Sequence, residues 1–165
     1  MTVKKLSSDE IRTHKGISFP GVTTSFICHD GKGNIFLAKR SNKTRDEHGR
    51  WDVGAGGLKH GYSLIDNVRR ELKEEYDVTP ISADFLGYID CFRKSLEGQD
   101  THWLDMVFVV RVNPAEVRIN EPDMVDDSGW FTLDKMPQPM HSMWPLFEKE
   151  LGTKLRTALG VTQTS

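Results

Sequence analysis

A chain of 165 residues with 37% hydrophobic and 28% charged residues has the length and composition of one folded domain. A net charge of −2 with no long basic run argues against binding polymeric nucleic acid through a basic face. No apolar stretch is long enough to span a bilayer and residues 1–10 are polar, so no membrane partner is expected and a cytoplasmic location is the default.

Along the chain, residues 1–16 read as a polar, flexible lead-in to a core of about residues 18–160. Gly21 to Cys28 is β-branched and aromatic and reads as a strand. The turn-forming run His29 to Asn34 joins it to a second strand, Ile35 to Lys39, as a hairpin. A charged loop, Ser41 to Arg50, leads to the glycine-rich stretch Gly54 to Leu58, read as a turn. Ser63 is placed to cap a helix whose apolar stripe is Leu64, Val68, Leu72 and Tyr76, and which stops near Asp77 before Val78-Thr79-Pro80. Ala83 to Phe92, Trp103 to Val112 and Gly129 to Leu133 read as three further strands. Ser142 to Leu159 reads as a final helix with Trp144, Phe147, Leu151 and Leu155 on one side. The order β, β, α, β, β, β, α predicts an α/β fold with a mixed sheet covered by helices. Cys28 and Cys91 sit in apolar contexts without metal-ligand spacing and read as buried free thiols.

The chemistry concentrates in Arg70-Glu71-Leu72-Lys73-Glu74-Glu75. On a helix Glu71 shares a face with both Glu74 and Glu75. These acids fall in the last turns, where the helix dipole disfavours anions. A hard dication with oxygen ligands turns that repulsion into ligation. The alternative is a solvated face on which Arg69, Arg70 and Lys73 neutralise the glutamates. The glycine run just upstream favours ligation, because glycines let backbone groups approach a ligand closely.

With these residues the chain resembles the Nudix hydrolase family. That family's signature is a glycine, five residues, a glutamate, seven residues, then Arg-Glu-apolar-x-Glu-Glu-x-Gly-apolar. Gly56 opens the match, and Arg70, Glu71, Leu72, Glu74, Glu75 and Val78 fall in register; Trp51, Gly57 and Gly61 look like the usual lead-in. Tyr62 stands where the first glutamate belongs, Asp77 where the second glycine belongs, and Ala55 replaces a frequent proline. The resemblance implies a Nudix-type α/β/α sandwich. It also implies metal-activated water attacking a diphosphate in a nucleoside triphosphate or nucleoside diphosphate derivative. Mg²⁺ is the expected cofactor, with Mn²⁺ as substitute.

The implied ligands are Glu71, Glu74 and Glu75, with Glu71 as ligand or base, the Gly56 carbonyl as a further ligand, and Glu121 as an additional acid. Arg70 belongs to the motif, and its usual glutamate brace is missing; Asp66, four residues before it, is the expected replacement. Gly57, Lys39, Arg40 and Trp103 are the substrate-binding candidates, and Phe19, Phe92 and His102 are weaker ones for the base. A monomer or homodimer is expected. A binding or regulatory module without turnover is the competing reading, motivated by Tyr62. Isopentenyl diphosphate isomerase chemistry, suggested by Trp51-Asp52, requires a catalytic cysteine that neither Cys28 nor Cys91 provides.

Overall fold

The computed structural model describes residues 5–161. Its sheet is mixed and open. Strand β1 (Gly21–His29) pairs antiparallel with β2 (Asn34–Arg40) and parallel with β6 (Asp100–Arg111), which pairs antiparallel with the edge strand β5 (Ser82–Lys94). On the other side, β2 carries β3 (Trp51–Asp52) and β7 (Val125–Thr132), and β4 (Gly54–Gly57) lies along β1. Among the described residues no helix is long and apolar enough to cross a membrane.

Alternation along the strands divides the core into two layers. Ile27, Ile35, Leu37, Val107 and Val109 point to one face, which α3 (Trp144–Leu159) covers with Phe147, Leu151 and Leu155. Phe26, Cys28, Phe36, Phe108 and Val110 point to the other, which α2 (Leu64–Tyr76) covers with Val68, Leu72 and Tyr76. Each of these fully buried side chains contributes roughly 1.5–3 kcal/mol. The apolar stripe of α2 is thus the one its periodicity predicts. The α/β/α sandwich is the observed architecture.

Four differences from the sequence reading have physical causes. Part of the polar lead-in is helical: α1 (Ser8–His14) is nucleated by a capping box in which Ser7 and Glu10 bond each other's backbone N–H. Residues 1–4 of that lead-in lie outside the described residues. The glycine run expected as a turn forms β4, because its bare backbone fits along β1: a Cβ at Gly54 would lie about 2.1 Å from the Phe26 ring. The hairpin between β5 and β6 is tighter than expected, closed by Ser95 Oγ accepting from Glu97 and Gln99 N–H. Strand β7 starts four residues early, since the polar Val125 to Ser128 pairs with Ala38 to Arg40.

Helix α2 begins at Ser63, whose hydroxyl accepts from the Asp66 N–H at 3.2 Å. It ends at Asp77, which is left-handed with φ 48° and paired with Lys73. A residue with a Cβ in that conformation costs about 1 kcal/mol, more than an exposed ion pair typically returns. Asp77→Gly should therefore raise the melting temperature by about 1–3 °C. A lower value in a thermal melt would show that the Lys73 pair dominates.

Candidate active site

Two cavities meet over β4. The larger, about 630 Å³, opens on the α3 face of the sheet and is lined by Thr23, Ser25, Gly56, Gly57, Cys91, Trp103 and Asp105, with Arg12, Lys15, Arg40, Arg45 and Arg93 among its cations. The smaller, about 260 Å³, holds Glu75, Glu121 and Tyr76. Arg40, Arg45, Asp52, Val53 and Ala55 line both.

The carboxylate helix is pressed against β4. A Cβ at Gly56 would lie 1.8 Å from the Glu71 carboxylate, so only glycine admits Glu71 there. Asn67, fully buried, fastens the two elements. Its amide donates to Thr24 Oγ1 at 2.9 Å, and its carbonyl accepts from Arg70 Nη2 at 2.9 Å and from the Lys59 N–H at 3.3 Å. The Gly56 carbonyl accepts from Thr23 Oγ1 at 3.0 Å.

Arg70 is not braced by Asp66, which is turned away to Ser63 and Arg69. Arg70 instead binds Asn67, Glu71 and, at 2.5 Å, Glu74, while its guanidinium carbon lies 5.8 Å from the centre of the Tyr62 ring. The i,i+4 geometry open to Asp66 loses because Ser63 claims the aspartate for the helix cap. The ring of Tyr62, in place of an acid, leaves Arg70 to the carboxylates of its own helix.

Burial pushes Glu75 well above the usual carboxylate range, and the charges of Glu71, Glu121 and Asp52 push it further, with a partial offset from the Ala55 backbone N–H. Burial also raises Glu71, against the pull of Arg70. A group of anions that oppose one another's ionisation fits a hard dication in donor chemistry. Among the described residues no three acidic, histidine or cysteine side chains converge as ligands, and two of the helix carboxylates, Glu71 and Glu74, are instead paired with Arg70.

The remaining candidates separate cleanly. Glu121 lies in the smaller cavity beside Glu75; Gly56, Gly57, Arg40 and Trp103 line the larger. Glu74 and Lys39 line neither, and Glu74 is exposed. Phe19, Phe92 and His102 also lie outside both cavities; Phe92 stacks on His102 at 4.4 Å. Cys28 and Cys91 are buried and free, and burial pushes the Cys91 thiol up to about 11.

A family model for the NUDIX domain matches residues 20–150. The chain belongs to the Nudix family. Nudix hydrolases as a group use divalent metal ions and act on phosphoric anhydride bonds of small nucleotide-type molecules. A mouse relative, the 8-oxo-dGDP phosphatase NUDT18, is 26% identical over 113 residues, which are 67% of this chain and 32% of that protein. The chain thus matches about a third of that relative's length. The crystal structure of a MutT NUDIX hydrolase from Burkholderia pseudomallei superposes with TM-score 0.69 at 28% identity, covering 81% of this chain and 98% of that one. The MutT protein from Methanosarcina mazei Go1 (TM-score 0.67, 22% identity, 83% and 96% covered) shares the fold. So does the NUDIX domain of Shewanella oneidensis NrtR, crystallised with ADP ribose (0.63, 17%, 91% and 99%).

Residues that motif reading missed include Asn67, Asp52 and Asp105. Burial raises Asp105 to about 6, with Asp52 adding to the shift and a hydrogen bond from Ser25 opposing it. Its folded pKa thus exceeds the unfolded value of 3.8, so between pH 4 and 6 the native state holds more protons and stability falls as pH rises. Asp105→Asn should melt progressively higher relative to wild type as pH goes from 4 to 8, by an amount on the order of 1–3 kcal/mol. A pH-independent difference would show that the carboxyl titrates normally.

Asn67→Ala should lower unfolding free energy by about 2–3 kcal/mol, because it strips partners from Thr24 and Arg70 at once. Asp66→Ala should leave the urea midpoint close to wild type. The reverse order would return the brace to Asp66.

Proposed function

We propose that this chain hydrolyses a diphosphate bond in a nucleoside triphosphate or nucleoside diphosphate derivative, with Mg²⁺ as cofactor and Mn²⁺ as a substitute. The observation that carries this reading is the junction of the two cavities at β4, with guanidinium groups of Arg40 and Arg45 facing both and the carboxylates of Glu75, Asp52 and Glu121 gathered at the smaller. A mouse relative that acts on 8-oxo-dGDP and a Burkholderia relative that is a Nudix hydrolase support it.

A diphosphate lying across the junction meets Arg40 and Arg45, whose planar forks suit phosphate oxygens. The rest of the substrate occupies the larger cavity against the Gly57 backbone and Trp103. Lys39 lines neither cavity, and the phosphate contacts are assigned to Arg40 and Arg45. Glu71, Glu75 and Glu121, with the Gly56 carbonyl, are the proposed ligands, and Glu74 joins them when Arg70 releases it. A divalent ion held there supplies an activated water and offsets charge on the transferring phosphoryl group. Arg70 keeps Glu71 against Gly56, and Glu71 serves as ligand or base. The Arg70 pairs with Glu71 and Glu74 are also the observation that favours a binding module without turnover.

Phosphate release from a nucleotide panel should require Mg²⁺ or Mn²⁺ and stop in excess EDTA. Glu75→Gln should lower kcat by at least about 10²-fold, and by more than Glu74→Gln, because Glu75 is half-buried and lines the smaller cavity while Glu74 is exposed and lines neither. Turnover undiminished in EDTA, or in Glu75→Gln, overturns the reading; nucleotide binding without turnover selects the binding module.

A further inference from the structure

The larger cavity contains a charge that the hydrolytic reading leaves unused. Asp105 stands on β6, flanked in register by Thr23 on β1 and Ile89 on β5, and faces the cavity. One carboxylate oxygen accepts from Ser25 Oγ at 2.8 Å. The other is buried and has no partner. Among the described residues no lysine, arginine or histidine lies within ion-pair distance of it, although the same cavity is rich in cations. A buried acceptor of this kind carries a desolvation cost that a donor arriving with the ligand removes.

An ionised carboxylate accepts hydrogen bonds and donates none. It repels phosphate, so this part of the cavity does not hold the diphosphate. Its position agrees. Thr23 pairs with Gly57 on one side and Asp105 on the other, which puts Asp105 two strand spacings, roughly 10 Å, from β4 and the carboxylate helix behind it. A nucleoside diphosphate spans such a gap with its base at the Asp105 end. Trp103, two residues away on the same face, supplies an aromatic wall there.

We propose that Asp105 selects the base of the substrate, and that the base is guanine. Guanine presents two adjacent donors, N1–H and the 2-amino group, to a carboxylate. Adenine and cytosine set a ring acceptor beside their amine, and uracil flanks its N–H with two carbonyls, so each meets Asp105 with a repulsive contact. Hypoxanthine keeps N1–H and lacks the second donor. Ser25 acts as a positioning residue, fixing the carboxylate through its hydroxyl.

This inference rests on the larger cavity being the nucleotide site, and its test separates the two claims. Binding of GDP, IDP and ADP is measured by calorimetry in EDTA, where no turnover occurs, for wild type and Asp105→Asn. Wild type should bind GDP at least about tenfold more tightly than IDP or ADP, the worth of a hydrogen bond to a charged group. Asp105→Asn should bind the three within a few-fold of one another, with the largest loss for GDP and ADP affinity retained. Retained ADP affinity and a cooperative melt show the variant folded. Equal affinities in wild type, a GDP preference that survives in the variant, or no nucleotide binding at all each overturns the proposal. Phosphate release with Mg²⁺, run in parallel, reports on hydrolysis alone: a GDP preference without turnover removes the enzymatic reading and keeps the base contact.

Discussion

The whole site depends on how closely helix α2 lies against strand β4. Gly56 has no Cβ, and the Glu71 carboxylate occupies the place where one would be. Any other residue at 56 would displace the helix, and with it Glu75 and Arg70. The contact is held from below by packing of Val68, Leu72 and Tyr76 on the sheet and from above by Asn67. A buried amide whose partners lie on β1, on β4, on α2 and in the loop before α2 is hard to replace, since any substitute leaves at least one buried polar group unpaired.

That arrangement makes sense of the two neighbouring cavities. Strand β4 is a thin partition with little side chain of its own, so a molecule on the α3 face and carboxylates on the α2 face approach each other across backbone. The charged loop between β2 and β3 equips the larger side. Asp46 binds Arg40 and Arg93, and Glu47 binds Arg93 and both polar groups of Ser142. Guanidinium groups that would otherwise be mobile are thereby held along the cavity wall, and less ordering entropy is lost when they meet an anion.

Helix α2 was legible in the sequence down to its caps, because its information is local. Ser63, the four-residue apolar period and the stop at Asp77 all act within a few residues of themselves. The glycine run was legible as a close approach, though not as a strand, since strand pairing is decided by β1, thirty residues away. Asn67 and Asp105 were hidden for the same reason in stronger form. Asn67 sits between the periodic apolar positions and reads as a solvated residue until Thr24 is brought beside it. Asp105 derives its character from Ser25, eighty positions earlier in the chain, and from a cavity that exists only once β1, β5 and β6 are assembled. Asp66 shows the converse: a favourable local spacing to Arg70 lost to an even more local partner, Ser63.

Arg70 then becomes the point at which the packing of α2 and the freedom of its carboxylates oppose each other. With Tyr62 in place of an acid, its guanidinium has a ring edge or face on the loop side and carboxylates only on its own helix. The pairs that neutralise Glu71 and Glu74 are worth most while those acids lack another cation, and a divalent ion bound there, as proposed, would compete for the same oxygens with twice the charge. Asn67 keeps one Arg70 nitrogen satisfied whichever way that competition goes, so the guanidinium is not left buried and bare when the glutamates turn away. In this chain the amide on α2 therefore does more than fasten helix to strand: it gives the arginine a neutral partner to fall back on, which a second carboxylate on the loop would otherwise have supplied as a charge.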